Sequence, residues 1–176
     1  MRALLSGLAA LLLLSGCTGG SPDPAAAPTP QSRGARLLAE VGAALDAEPT
    51  DPDIEHPIPP ECPTAYRRVS AGATYDGVRI WVDVARGPCP GRDGGYYACH
   101  GVPDLPGHAV ELRDCFSRRL DDGRVLVAGR QRVYQEGTYR VAALWRHHLT
   151  CTVGASAEDG PSAEELARVA TEIRCE

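Results

Sequence analysis

Apolar residues fall along this 176-residue chain in three patterns: one N-terminal run, two stripes at helical period and several stretches of alternation. The stripes predict helices. Leu37, Leu38, Val41 and Leu45 share one side of a helix over 35–47, with Ser32 as its N-cap and Pro49 and Pro52 past its end. Leu166, Val169, Ala170 and Ile173 mark a second helix over 162–174, opened by the S-x-x-E capping box of Ser162 and Glu165. For Cys175 to reach the core, this helix has to end near Arg174. Each stripe is expected to dock on its own domain.

Alternation at period two predicts strands. Over 75–85, Val78, Ile80, Val82 and Val84 alternate with Gly77, Arg79, Trp81 and Asp83. The aliphatic face belongs to the core, and the first helix is the expected cover for Trp81. A second strand over 109–118 sets Val110, Leu112 and Phe116 on one face, and Leu120-Asp121-Asp122-Gly123 makes a turn. A third strand, over 124–134, carries Val125, Val127 and Val133. The fourth and longest, over 138–154, points Tyr139, Val141, Ala143, Trp145, His147, Leu149, Cys151 and Val153 inward. The odd-numbered faces of these last two strands meet if Gln135-Glu136-Gly137 forms the loop between Tyr134 and Thr138, with Gly137 left-handed in a G1 bulge. The expected fold is α+β: an antiparallel sheet of about four strands, disulfide-bonded, with an N-terminal and a C-terminal helix packed on it.

Three segments carry no periodic signal. Residues 18–32 contain prolines 22, 24, 28 and 30 and read as an extended linker. Residues 49–63 are proline-rich and irregular. Asp51, Asp53 and Glu55 alternate there, but His56 and Cys62 stand where a calcium loop needs Gly and Glu, so a solvated acidic loop is expected. Residues 87–107, rich in Gly and Pro, read as a long crosslinked loop.

The N-terminal apolar run, 3–14, follows Arg2 and is too short to span a bilayer. It ends in Leu14-Ser15-Gly16-Cys17, which closely resembles the lipobox of bacterial lipoproteins. That resemblance implies a signal peptide over 1–16 and acylation of Cys17, with diacylglycerol and palmitate-type chains. It also implies a protein held by its lipid anchor on the extracytoplasmic face of the cell membrane. The remainder divides into the anchor and linker, 17–32, and a single domain, 33–176.

With Cys17 assigned to lipid, Cys62, Cys89, Cys99, Cys115, Cys151 and Cys175 remain, an even number in an oxidising compartment. Three disulfides are expected, paired Cys89 with Cys99, Cys151 with Cys175 and Cys62 with Cys115. No pair has C-x-x-C spacing, so metal binding is not expected.

All eighteen basic residues are Arg, so lysine chemistry is excluded: no Schiff base, no P-loop. The arginines are interspersed with acids at a net charge of −5, which argues against nucleic acid as a partner. Neither G-x-S-x-G nor H-E-x-x-H occurs. Adjacent on a strand, His147 and His148 face opposite ways and cannot share an ion, while His56, His100 and His108 lie in irregular segments. No cofactor is indicated. Trp81, Arg92, Tyr96, Tyr97 and His100 are the candidate ligand-binding residues, most of them in the 87–107 loop. The expected function is a non-enzymatic cell-envelope lipoprotein that binds a small ligand or an envelope protein. The alternatives are an envelope hydrolase with a site assembled from His and carboxylates, and a structural lipoprotein with no ligand.

Overall fold

A computed structural model describes residues 30–55, 66–87, 97–99, 110–133, 137–146 and 149–175. Helix α1 (Pro30–Leu45) is followed by β1 (Thr50–Glu55), β2 (Arg67–Tyr75), β3 (Val78–Arg86), β4 (Tyr97–Cys99), β5 (Val110–Arg119), β6 (Val125–Val133), β7 (Gly137–Arg146) and β8 (Leu149–Ser156), and helix α2 (Ala163–Glu172) comes last. The strands form one sheet of eight in the order β1-β2-β3-β8-β7-β6-β5-β4. Every neighbouring pair is antiparallel except β4 with β5.

This corrects the expected four-stranded antiparallel sheet: the described residues form twice as many strands, and the sheet is mixed. The reasons are local. β1 is an exposed edge strand holding Pro52, with Asp51 left-handed (φ 48°) at an irregularity in its pairing. β2 does alternate, but its core side chains include Ala71 and Ala73, which give a weak apolar signal. The single long strand expected over 138–154 is two strands, β7 and β8, folded on each other with Arg146 opposite Leu149. His147 and His148, expected to face opposite ways on one strand, lie outside the described residues.

One face of the sheet carries both helices. Leu37, Leu38 and Val41 of α1 and Leu166, Val169 and Ala170 of α2 close over Val69, Ala71 and Ala73 of β2, Ile80, Val82 and Val84 of β3, and Cys151, Val153 and Ala155 of β8. The α1 stripe is buried as its period predicts, but the helix begins at Pro30, so Ser32 lies inside it and is not its N-cap. It ends in a Schellman turn: Asp46 is left-handed (φ 57°) and the Ala47 N–H donates to the Gly42 carbonyl at 3.0 Å. The Tyr75 hydroxyl donates to the Leu38 carbonyl at 2.7 Å, joining β2 to the middle of α1.

At α2 the capping box is complete. The Glu165 N–H donates to Ser162 Oγ at 3.1 Å, and the Ser162 N–H donates to Glu165 Oε2 at 2.7 Å. Charge-assisted hydrogen bonding from Ser162 holds the Glu165 carboxyl below its ordinary range. Ile173 leaves the helix with extended backbone (φ −78°, ψ 148°), which lets Cys175 turn inward and bond Cys151. That crosslink matches the expected pairing.

The opposite face holds a second, smaller core of Leu112, Val127 and Val141, with Trp81, Tyr97 and Tyr139 packed against it. Trp81 therefore faces away from α1, which corrects the expected helix cover. Its indole lies directly on Gly154, where a Cβ would come within 2.1 Å of the ring. For Tyr97, on the last strand in spatial order, to share this cluster with Trp81 of β3, the sheet curls over its helix-free face.

A bulge in β5 places Asp114 (φ 44°) and Cys115 opposite Gly129 alone. A Cβ at Gly129 would sit 2.3 Å from that of Cys115, so only glycine admits the approach. The bulge also turns Phe116 toward the helices while Leu112 faces away, although alternation assigns them one face. It brings Cys115 to Cys99 instead. The expected pairs Cys89–Cys99 and Cys62–Cys115 are thereby overturned.

Between β6 and β7 odd residues do oppose odd ones, as in Val127 with Ala143. The closing pair is Val133 with Gly137, not Tyr134 with Thr138, and Gly137 is left-handed (φ 114°).

Candidate functional site

Of the five candidate binding residues, two are described. Trp81 and Tyr97 meet in the second core, whereas Arg92, Tyr96 and His100 lie outside the described residues. Beside them, Arg68 of β2 and Asp83 of β3 form a two-pronged ion pair, with Arg68 Nε 3.0 and 2.9 Å from the two carboxylate oxygens. A terminal guanidinium nitrogen of Arg68 also bonds Oδ2. The hydrogen bond to Asp83 raises the Arg68 pKa above its ordinary value. Burial pushes the Tyr97 phenol up to about 12, with Asp83 adding to the rise and Arg68 opposing it. Thr150 and Thr152 of β8 are buried polar residues, and Thr152 is paired with Asp83.

The chemistry of this group is self-contained. Arg68 and Asp83 neutralise each other, and a phenol with so high a pKa keeps its proton at neutral pH. Leu112 and Val141 beneath the aromatic rings are fully buried. The described part of the helix-free face is a packed core crossed by an ion pair.

At the edge of this core an open recess of about 580 Å³ lies against Leu112 and the Cys99–Cys115 disulfide. A pocket of about 510 Å³ sits where the end of α2, the early turns of α1, the 120–124 turn and the β7–β8 end converge. This volume is within the usual range for small-molecule sites. Its floor is apolar: Leu144, Leu149, Ile173 and the Cys151–Cys175 disulfide. Arg36, Arg124, Arg146 and Arg174 stand around it.

Two carboxylates hold three of these guanidinia, and a third pairs with a neighbouring arginine. Glu40 accepts the Arg174 backbone N–H at 2.6 Å, its Oε1 lies 3.2 Å from Arg174 Nε, and the Arg36 Nε is 3.8 Å away. Asp122 accepts the Arg124 backbone N–H at 3.0 Å and its Nε–H at 2.7 Å. The backbone bond first, then the Arg124 guanidinium, keep the Asp122 carboxyl below its ordinary range, and the Arg146 charge acts in the same direction. Glu172 pairs with Arg168, one turn back on α2, at 3.0 Å. Guanidinia attract and orient anions but do not exchange protons near neutral pH, so this lining suits binding.

These four arginines escaped the sequence reading because they come from four separate segments spread over most of the chain: α1, the turn before β6, the end of β7 and the residues after α2. No periodicity links them. The available signal was the exclusive use of Arg for positive charge, which does not say where the arginines converge. Among the described residues, no group of three or more His, Cys, Asp or Glu is placed to hold a metal, and no helix is long and apolar enough to cross a membrane. No protein-family model, no curated protein and no solved structure matches this chain.

Proposed function

We propose that this chain is a lipoprotein of the cell envelope, acylated at Cys17 and held at the outer face of the membrane, whose domain binds a ligand and does not turn it over. The observation that carries the binding role is the pocket between the helix ends: an apolar floor with four guanidinia about it. The lipobox resemblance at Leu14-Ser15-Gly16-Cys17 supports the anchor. The Cys99–Cys115 and Cys151–Cys175 bonds fit a compartment in which thiols oxidise.

Labelling cells with an alkyne analogue of palmitate tests the anchor. The wild-type chain is expected to take up label and to sediment with membranes, and Cys17→Ala is expected to do neither. Equal labelling and sedimentation of the two would sink the lipoprotein reading.

A further inference from the structure

We infer that the pocket at the ends of the two helices takes an amphiphilic anion, with a phosphate or carboxylate head on the guanidinia and a short apolar body on the floor. This rests on the binding role proposed above and names its ligand class. The first ground is charge. The chain as a whole is acidic, at −5, yet four arginines converge on this one cavity.

The nearby carboxylates do not cancel them. Asp122 is committed to Arg124, Glu172 to Arg168, and Glu40 to Arg174 and Arg36. Among the described residues, and counting Arg168, five guanidinia meet three carboxylates, a local excess of positive charge. Arg146 is exposed and has no ion-pair partner among the described residues.

The second ground is preorganisation. Arg174 is fixed through its own backbone N–H to Glu40, and Arg124 through its own to Asp122. The disulfide closes the floor. A planar guanidinium offers paired donors that match carboxylate and phosphate oxygens, which an ammonium does not. The third ground is the floor itself. A bare inorganic anion leaves Leu144, Leu149 and Ile173 unused, and a neutral apolar molecule leaves the arginines unpaired. A molecule with both ends uses both. Membrane phospholipids and free acyl or alkyl anions share that chemistry.

The test uses the full acylated chain in nanodiscs of zwitterionic phosphatidylcholine, titrated calorimetrically with hexyl phosphate, inorganic phosphate and hexyl glucoside. Hexyl phosphate is expected to bind at least about tenfold more tightly than either of the others, and Arg146→Gln to weaken it roughly tenfold, the scale of one charge-assisted hydrogen bond. Because Arg146 is exposed, its replacement leaves the core alone; unchanged thermal unfolding verifies this. Hexyl glucoside binding as tightly as hexyl phosphate, or Arg146→Gln binding like wild type, overturns the anion assignment and leaves a ligand pocket standing. Binding of none of the probes overturns the binding role as well. Replacing part of the phosphatidylcholine with phosphatidylglycerol separates the sources. Weaker hexyl phosphate binding then supports a membrane headgroup as the occupant, and unchanged binding supports a free anion.

Discussion

The carboxylate of Glu40, in the middle of α1, accepts the backbone N–H of Arg174, 134 residues further along the chain, at 2.6 Å. The same carboxylate lies 3.2 Å from the Arg174 guanidinium. One side chain thus fastens the two ends of the fold together and sets the edge of the pocket. Glu40→Ala leaves the Arg174 amide without its acceptor and is expected to cost about 1–2 kcal/mol in urea unfolding. Glu40→Gln keeps an acceptor and is expected to cost less. Equal costs for the two would mean that the charge, and not the hydrogen bond, is what matters.

Two tyrosines make stability fall at high pH. Burial pushes the phenols of both Tyr75 and Tyr97 up to about 12, from an ordinary value of 10.0. A raised pKa means that the folded state keeps a proton the unfolded chain gives up. The stabilisation is therefore complete below pH 10 and is lost as pH rises through about 12. For Tyr75, which is almost wholly buried, the loss is on the order of 2 kcal/mol. Unfolding free energy measured from pH 9 to 12 is expected to decline less steeply in Tyr75→Phe. A parallel decline in the variant would remove Tyr75 from the explanation. Tyr75→Phe also gives up the bond to Leu38, so its stability at pH 9 should already be lower, by about 1 kcal/mol.

The cysteines give a covalent test. Non-reducing peptide mapping is expected to join Cys99 to Cys115 and Cys151 to Cys175. Cys62 and Cys89 lie outside the described residues, and by elimination the map is expected to join them to each other. The described neighbours on their flanks agree: β2 begins at Arg67 and β3 ends at Arg86, and these two residues are paired at the same end of the hairpin. A peptide joining Cys89 to Cys99 would contradict both the structure and this pairing. Replacing Cys151 and Cys175 together by Ala opens a 24-residue span and is expected to cost about 3 kcal/mol.

Gly154 measures how closely the second core is packed. A methyl there meets the Trp81 ring at 2.1 Å, so Gly154→Ala is expected to cost about 1–3 kcal/mol. At Gly77 the backbone is left-handed (φ 83°) but the space is open, so Gly77→Ala should cost only about 1 kcal/mol. Comparable thermal shifts at the two sites would show that Trp81 is free to move aside.

The two helices, the most legible parts of the sequence, each bury a single face. Both helices have one apolar stripe, and their cores follow it. β7 has two buried faces, Ala142 and Leu144 toward the helices and Val141 toward the second core. The alternation that should have shown where β7 gives way to β8 was therefore blurred. Parity then misled, because odd residues face away from the helices on β7 and toward them on β8. The β5 bulge has no hydrophobic signature either, although Gly129 is its mark on the facing strand. The aromatic candidates Trp81 and Tyr97 do meet, but as packing partners. The pocket arginines share no spacing, since only tertiary structure assembles them.

Amide spectra of the full chain in nanodiscs, recorded while hexyl phosphate is added, test the binding role most directly. Saturable shifts confined to residues 36, 122–124, 144–146, 149–151 and 171–175 are the expected result. Shifts centred on Trp81 and Tyr97, or no saturable shifts at all, would contradict a ligand site between the helix ends.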